Sequence, residues 1–307
     1  MSKKYFLFIL SCITATTLLA QVTAPSLQER VGVSPLFITW NPDIFLFHIG
    51  SFGVRWYSLC WAIGLITVYM LEHKLYREQR IPEEKFEPLV FYCFFGILIG
   101  ARLGHCLFYE PGYFLSSPTH ILEMILPAKM GPDGSWHLTG YEGLASHGGT
   151  LGLMIALWLF VRKSGLKLWT VLDNIAIVTP VCACAIRLGN LMNSEIIGRP
   201  TDVPWAFIFE RVDMLPRHPG QLYEALCYAL FFGVHWWFYR HYPKKVGTGF
   251  FFGLCLFLIF TARIFIEYTK ENQVAFENGM LFNMGQLLSV PFILLGVWSM
   301  WQSRKQK

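Results

Sequence analysis

Charge is scarce in this 307-residue sequence: only 15% of its residues are Asp, Glu, Lys or Arg, whereas soluble domains run near 25%. Hydrophobic residues make up 54% and aromatic residues 17%, and mean hydropathy is +0.43. That balance excludes a disordered chain, argues against a water-soluble globule and indicates a polytopic membrane protein. The formal net charge of +5 is spread among short segments and not gathered into one basic patch, so no nucleic-acid partner is expected. Neither an HExxH, a P-loop, a strand-linked GxGxxG, a paired His/Asp metal cluster nor a GxSxG elbow occurs. The eight cysteines all fall in apolar stretches without a CxxC pair. They read as small core hydrophobes, neither zinc ligands nor a disulfide framework.

What is present is a series of apolar runs near 54–71, 88–109, 148–161, 168–192, 218–239, 247–267 and 281–301, each a candidate to cross about 30 Å of hydrocarbon. The 148–161 run is short, and its helix is expected to begin within the preceding loop. Ahead of these, Lys3-Lys4 and the apolar stretch Tyr5 to Ala20 fit a signal peptide and a short extra helix about equally well. The expected fold is an all-α polytopic membrane protein. It comprises a membrane-type segment at 1–20, an outer segment at 21–50, and a seven-helix domain over 51–307 with small outer head loops.

The distribution of basic residues orients this layout. Lys74, Arg77, Arg80, Lys85, Arg162, Lys163, Lys167, Arg240, Lys244, Lys245, Arg304, Lys305 and Lys307 make thirteen on one side. The opposite loops hold five: Lys129, Arg199, Arg211, Arg217 and Lys270. Alternation through seven spans then places the mature N-terminus outside and the C-terminus inside.

Three arginines, Arg102, Arg187 and Arg263, fall within apolar runs, where a cation costs about 2.5–3.5 kcal/mol unless it meets a partner or a watery cavity. Asp173 and Glu267 are the intramembrane acids in view, and Glu267 lies one turn after Arg263, so those two can pair along one helix face. Arg187 has no acid within a turn. A cation of that kind suits an anion, and a phospholipid phosphate is the most abundant anion at a membrane surface.

Arg187, Asn190 and Asn193 recur every three residues and give a polar stripe as their helix surfaces; Glu195, Gly198 and Arg199 follow. A second constellation, Ser146-His147-Gly148-Gly149, joins an outer loop to a helix start. Its glycines would allow close approach of a ligand, and its imidazole a proton transfer near neutral pH. A third, Arg217-His218-Pro219-Gly220-Gln221-Leu222-Tyr223-Glu224, opens the next helix, with His218, Gln221 and Glu224 on one face. Gly96, Gly100 and Gly104 form a ridge for close helix packing.

Together with Arg55-Trp56-Tyr57 and Met284-Gly285-Gln286, these motifs resemble the prolipoprotein diacylglyceryl transferases, in the right order from about residue 50 to the C-terminus. The resemblance implies a multi-pass enzyme of the bacterial inner membrane with a periplasmic head. Such an enzyme transfers the diacylglyceryl group of phosphatidylglycerol to the lipobox cysteine of a prolipoprotein signal peptide, releasing glycerol 1-phosphate. No metal or cofactor is implied. Arg187 and Arg263 match the family's essential arginines, His147 the histidine of its HGG motif, Tyr57 a tyrosine after Trp, and Asn190 and Gly198 the signature's supporting residues. Asn193, Glu195, His218, Gln221 and Tyr223, inside the matching motifs, are expected to line the substrate site. Ser146, Ile186, Ile259 and Lys270 depart from the family's usual residues. On this reading Arg187 and Arg263 hold the phosphate, Asn190 orients it, and His147 either takes the thiol proton or only positions the substrate. The rival reading is a transporter or flippase for an anionic lipid, whose mark, a two-fold repeat with broken helices, is not seen.

Overall fold

The computed structural model describes residues 37–49, 52–131, 134–138, 143–271, 280 and 282–305. The expectations for 1–36, including the choice between signal peptide and extra helix, lie outside them. Among the described residues the helices are α1 (Trp56–Glu78), α2 (Glu83–Phe108), α3 (Pro111–Phe114), α4 (Pro118–Ile125), α5 (Ser146–Ser164), α6 (Leu168–Asn193), α7 (Gly220–His241), α8 (Phe250–Glu267) and α9 (Met284–Gln302). The strands are β1 (Ile38–Trp40), β2 (Phe45–Ile49), β3 (Phe52–Arg55), β4 (Ala128–Met130), β5 (Trp136–Leu138), β6 (Phe207–Phe209) and β7 (Pro216–Arg217).

Each long helix falls on one of the expected apolar runs, and the short run at 148–161 extends in both directions to Ser146 and Ser164. Four of them, α2, α6, α8 and α9, are long and apolar enough to cross a membrane by length and composition. Helices α1, α5 and α7 have the length (23, 19 and 22 residues) but not the apolarity. The fold is mostly helical, as expected, and the described residues also hold seven short strands in three small sheets. Segments too short for a helix satisfy their backbone groups in local ladders. A hydropathy reading passes over these.

The chain divides into two compact units, His73–Val171 and the remainder, Met1–Glu72 with Leu172–Lys307; the division falls inside α1 and α6. In the first unit α2 packs on α5 through the glycine ridge. A Cβ on Gly100 would come 2.8 Å from the Cα of Gly152, and one on Gly104 2.7 Å from the Cα of Gly148. Only hydrogen side chains permit that approach. Gly148 is therefore a packing residue, which corrects the reading that it makes room for a ligand. Arg102 is also structural. Only 5% exposed, it donates to the carbonyls of Glu123 (2.7 Å) and Met124 (3.3 Å) at the end of α4 and lies 5.0 Å from the Phe114 ring centre. Those carbonyls have no helical partner, and the cation supplies one.

In the second unit β1 pairs in parallel with β6, which pairs antiparallel with β7. Leu191, Phe207 and Phe209 form a core beneath them with Trp40, Ile197 and Leu222 packed against it. Helices α8 and α9 pack where Gly253 meets Gly296, with Phe260 stacked on Phe292 at 4.4 Å. Asp173, expected as a partner for an arginine, serves the start of α8. It accepts from the N–H groups of Gly247 (2.9 Å), Thr248 (3.1 Å), Gly249 (2.9 Å) and Phe252 (2.9 Å). Two of these donors, Gly249 and Phe252, belong to the helix start, which leaves them without a helical partner, and the other two belong to the turn just before it.

Candidate active site

At one end of the second unit, three cations and two carboxylates alternate in a chain. Helix α6 carries Arg187, whose Nε lies 2.9 Å from Glu224 Oε2 on α7. Glu224, 1% exposed in its side chain, also takes Lys270 Nζ at 3.0 Å. Lys270 reaches on to Glu267 at 3.6 Å, and Glu267 faces Arg263, one turn earlier on α8, at 3.9 Å. The acid that Arg187 lacks within a turn of its own helix thus comes from the next one. The five groups sum to one net positive charge, and the exposed members are the arginines: the Arg187 side chain is 23% and the Arg263 side chain 42% accessible. Tyr228 hydrogen-bonds Arg187 and lies within the electrostatic reach of Arg263, so both guanidinium groups bear on one phenol.

The polar stripe on α6 is tied together. Arg187 NH1 donates to Asn190 Oδ1 at 3.3 Å, Asn190 Nδ2 to Glu195 at 3.1 Å, and Asn193 Nδ2 to the same carboxylate at 3.0 Å. Gln221 donates to the carbonyl of Glu195. Ser194 and Ile196, at φ 56° and 55°, end the helix in left-handed conformations that non-glycine residues rarely adopt. Both ends of the Asn190 amide are occupied, so Asn190 is built to hold Arg187 in place. Tyr57 packs against Gly189, where a Cβ would come within 2.9 Å of its ring.

Gly198 lies buried among backbone: a Cβ there would come 2.5 Å from that of His218 and 2.6 Å from the Thr269 carbonyl. Its residue pairs in a bridge with Lys270, which fixes the end of α8 beside the loop after α6. Arg217, 7% exposed, braces this loop by bonding Asp213 (2.5 to 3.0 Å), Glu271 (2.5 Å) and the Gly198 carbonyl (3.1 Å). The guanidinium holds the Asp213 carboxyl below its usual range. His218 Nδ1 lies 3.1 Å from the Tyr223 hydroxyl, which accepts from Trp205 Nε1 at 2.8 Å. Burial, helped by the Arg199 charge, lowers His218 to about 4, so its ring is neutral at pH 7. Gly285, at the start of α9, leaves space for Glu267, whose carboxyl carbon would be 2.8 Å from a Cβ there.

Arg187, Asn190, Asn193, Glu195, Gly198, His218, Gln221, Tyr223, Arg263 and Tyr57 all belong to this unit. His147 belongs to the other, exposed in the first turn of α5, and its ring makes no hydrogen bond among the described residues. Sequence reasoning missed Lys270 and Tyr228 as members of the cluster and Trp205 as a partner of Tyr223. Only Lys270 carried a signal, its place three residues after Glu267.

The family model for prolipoprotein diacylglyceryl transferase matches residues 44–302. A Bacteroides fragilis protein named phosphatidylglycerol–prolipoprotein diacylglyceryl transferase is 60% identical over 272 residues, 89% of this chain and 97% of that protein. Proteins of the same name from Tolumonas auensis and Chloroherpeton thalassium are 45% and 40% identical over 270 and 271 residues, covering 87% and 88% of this chain and 98% and 96% of theirs. With the motifs in order along the matched length, the chain belongs to the prolipoprotein diacylglyceryl transferase family.

Proposed function

We propose that this protein transfers the diacylglyceryl group of phosphatidylglycerol to the lipobox cysteine thiol of a prolipoprotein. It does so at the outer face of the bacterial inner membrane, with α1, α2, α5, α6, α7, α8 and α9 as seven spans, the mature N-terminus periplasmic and the C-terminus cytoplasmic. The cysteine sulfur forms a bond to the glyceryl carbon as that carbon's bond to the phosphate oxygen breaks. The electron pair leaves with glycerol 1-phosphate, and the thiol proton passes to a base.

The observation that carries this reading is the chain Arg187–Glu224–Lys270–Glu267–Arg263 with its accessible ends both cationic. Its carboxylates keep the cations in a low-dielectric setting and leave one positive charge unmatched, which suits a phosphodiester. As the leaving oxygen gains charge, fixed guanidinium groups favour the transition state over the bound lipid. Buried polar atoms nearby, Asn193 Oδ1, Ser194 Oγ and Gln221 Oε1 among them, have no hydrogen-bond partner among the described residues, as befits a surface that meets a polar ligand or water. Asn190 positions Arg187, and Tyr57, Glu195, Gly198, His218 and Tyr223 shape the surface beside it. A thiol whose ordinary pKa near 8.5 leaves it mostly protonated at neutral pH must lose its proton, and His147 either takes that proton or only positions the substrate.

Purified protein incubated with phosphatidylglycerol and a lipobox-cysteine peptide tests the reading. A diacylglyceryl mass increment on the cysteine and release of glycerol 1-phosphate are expected; lipid movement between leaflets with an unmodified cysteine would overturn it. For His147→Gln, activity that recovers as pH rises from 6 to 9 supports the base, and a flat deficit assigns the residue to positioning.

A further inference from the structure

The stripe Arg187, Asn190 and Asn193 runs over the last two turns of α6, and the last of them is fastened from outside the helix. The carbonyls of a helix's last turn have no partner within it. Leu191 O takes the Trp40 indole N–H at 2.9 Å. Met192 O takes Arg211 NH2 at 3.0 Å, and the same nitrogen bonds the carbonyl of Pro42. Trp40 is held in turn by β1, whose residues pair with β6 in register, and by its ring against Phe207 at 5.5 Å. Arg211 lies just after β6. Its Nε and NH1 have no hydrogen-bond partner among the described residues, so its one defined task is to join the two carbonyls. The other face of the same turn carries Asn190, which holds Arg187 and Glu195.

We infer that Trp40 and Arg211 are positioning residues that clamp the end of α6, fixing Asn190 and through it the Arg187 guanidinium. Trp40 and Pro42 precede residue 44, where the match to the family model begins. The role rests on the proposed transferase reading, because it acts on the arginine that grips the phosphate. A guanidinium displaced by even a fraction of an ångström meets the departing oxygen less well, and misplacement of about 1 Å can cost on the order of a hundredfold.

Trp40→Phe is the discriminating variant, since the ring remains to pack on Phe207 and only the N–H donor is lost. Two readouts on the full chain in detergent are compared with wild type: amide hydrogen exchange over residues 187–195, and kcat and KM for phosphatidylglycerol with a lipobox peptide. The clamp predicts faster exchange confined to that turn, kcat lowered about tenfold, and KM and the melting temperature close to wild type, with Arg211→Lys behaving likewise. Unchanged exchange overturns the clamp. Faster exchange with unchanged kcat overturns the positioning role, as does lost activity traced wholly to a lower melting temperature. If wild-type protein itself transfers nothing, the transferase reading fails, while the exchange arm still decides the clamp.

Discussion

Arg102 and Arg187 look alike in sequence, each a lone arginine in an apolar run, yet the structure treats them differently. Arg102 is sealed at 5% exposure and bonds carbonyl oxygens with an aromatic ring beside it. Arg187 is partly open and enters a ladder of shared carboxylates that ends in a second open arginine. Carbonyl oxygens can satisfy a guanidinium permanently. A carboxylate shared between cations holds them while leaving positive potential for a ligand. Partner type and accessibility, more than the presence of a charge in oil, separate the cation sealed into the fold from the one proposed to meet a ligand.

Substituting the two residues in parallel sharpens that contrast. Arg187→Ala is expected to lower kcat for diacylglyceryl transfer by about 10² to 10³-fold, the scale of a lost electrostatic donor, with unchanged insertion and only a small drop in melting temperature, because buried Glu224 keeps Lys270 as a partner. Arg187→Lys should restore little, because an ammonium lacks the planar fork. Arg102→Ala should do the reverse. It leaves two carbonyls unpaired and so costs about 1–3 kcal/mol of stability, read as a lower melting temperature, with kcat of the folded fraction near wild type. An equal effect of both substitutions on kcat at constant stability would erase the distinction.

The two glycines after His147 offer a smaller test of the same kind. A Cβ on Gly148 would collide with the Gly100 carbonyl oxygen on α2, whereas one on Gly149 makes only ordinary contacts, with Ala101 Cβ at 3.4 Å, Ile97 O at 3.5 Å and Ile97 Cγ2 at 3.6 Å. Gly148→Ala should destabilise by about 1–3 kcal/mol, as overpacking does, and Gly149→Ala should be nearly silent in a thermal melt. A pH-dependent effect concerns His218. Its folded-state value of about 4 lies below the unfolded value near 6.5, so the unfolded chain binds the proton first as pH falls. Its contribution is fully present above pH 6.5 and is lost on the way down to pH 4. Melting temperature should therefore fall more steeply over that window in wild type than in His218→Gln, and parallel slopes would refute the assignment.

The sequence made the helices legible because hydropathy is a local property, and the glycine ridge on α2 legible because its period is that of a helix face. The ridge's counterpart, Gly148 and Gly152 on α5, was not, since nothing local states which helix packs on which. The same limit hid Glu224 as the partner of Arg187, 37 residues away along the chain, although the motif around it was visible. Asp173 shows the opposite failure. An acid in an apolar run invites pairing with a cation, but four backbone N–H groups more than 70 residues away claim it. The short strands escaped notice because two to five residues carry too little pattern. The indole and guanidinium that fasten α6 left no trace in the motifs, being tertiary contacts to backbone carbonyls.

The central claim is that Arg187 and Arg263 act together as a grip for phosphate. Calorimetric titration of purified protein with glycerol 1-phosphate measures that grip without requiring turnover. The account predicts that wild type and folded Arg102→Ala bind alike, while Arg187→Ala and Arg263→Ala each weaken binding at least tenfold. Wild-type affinity in either of the last two variants would contradict it.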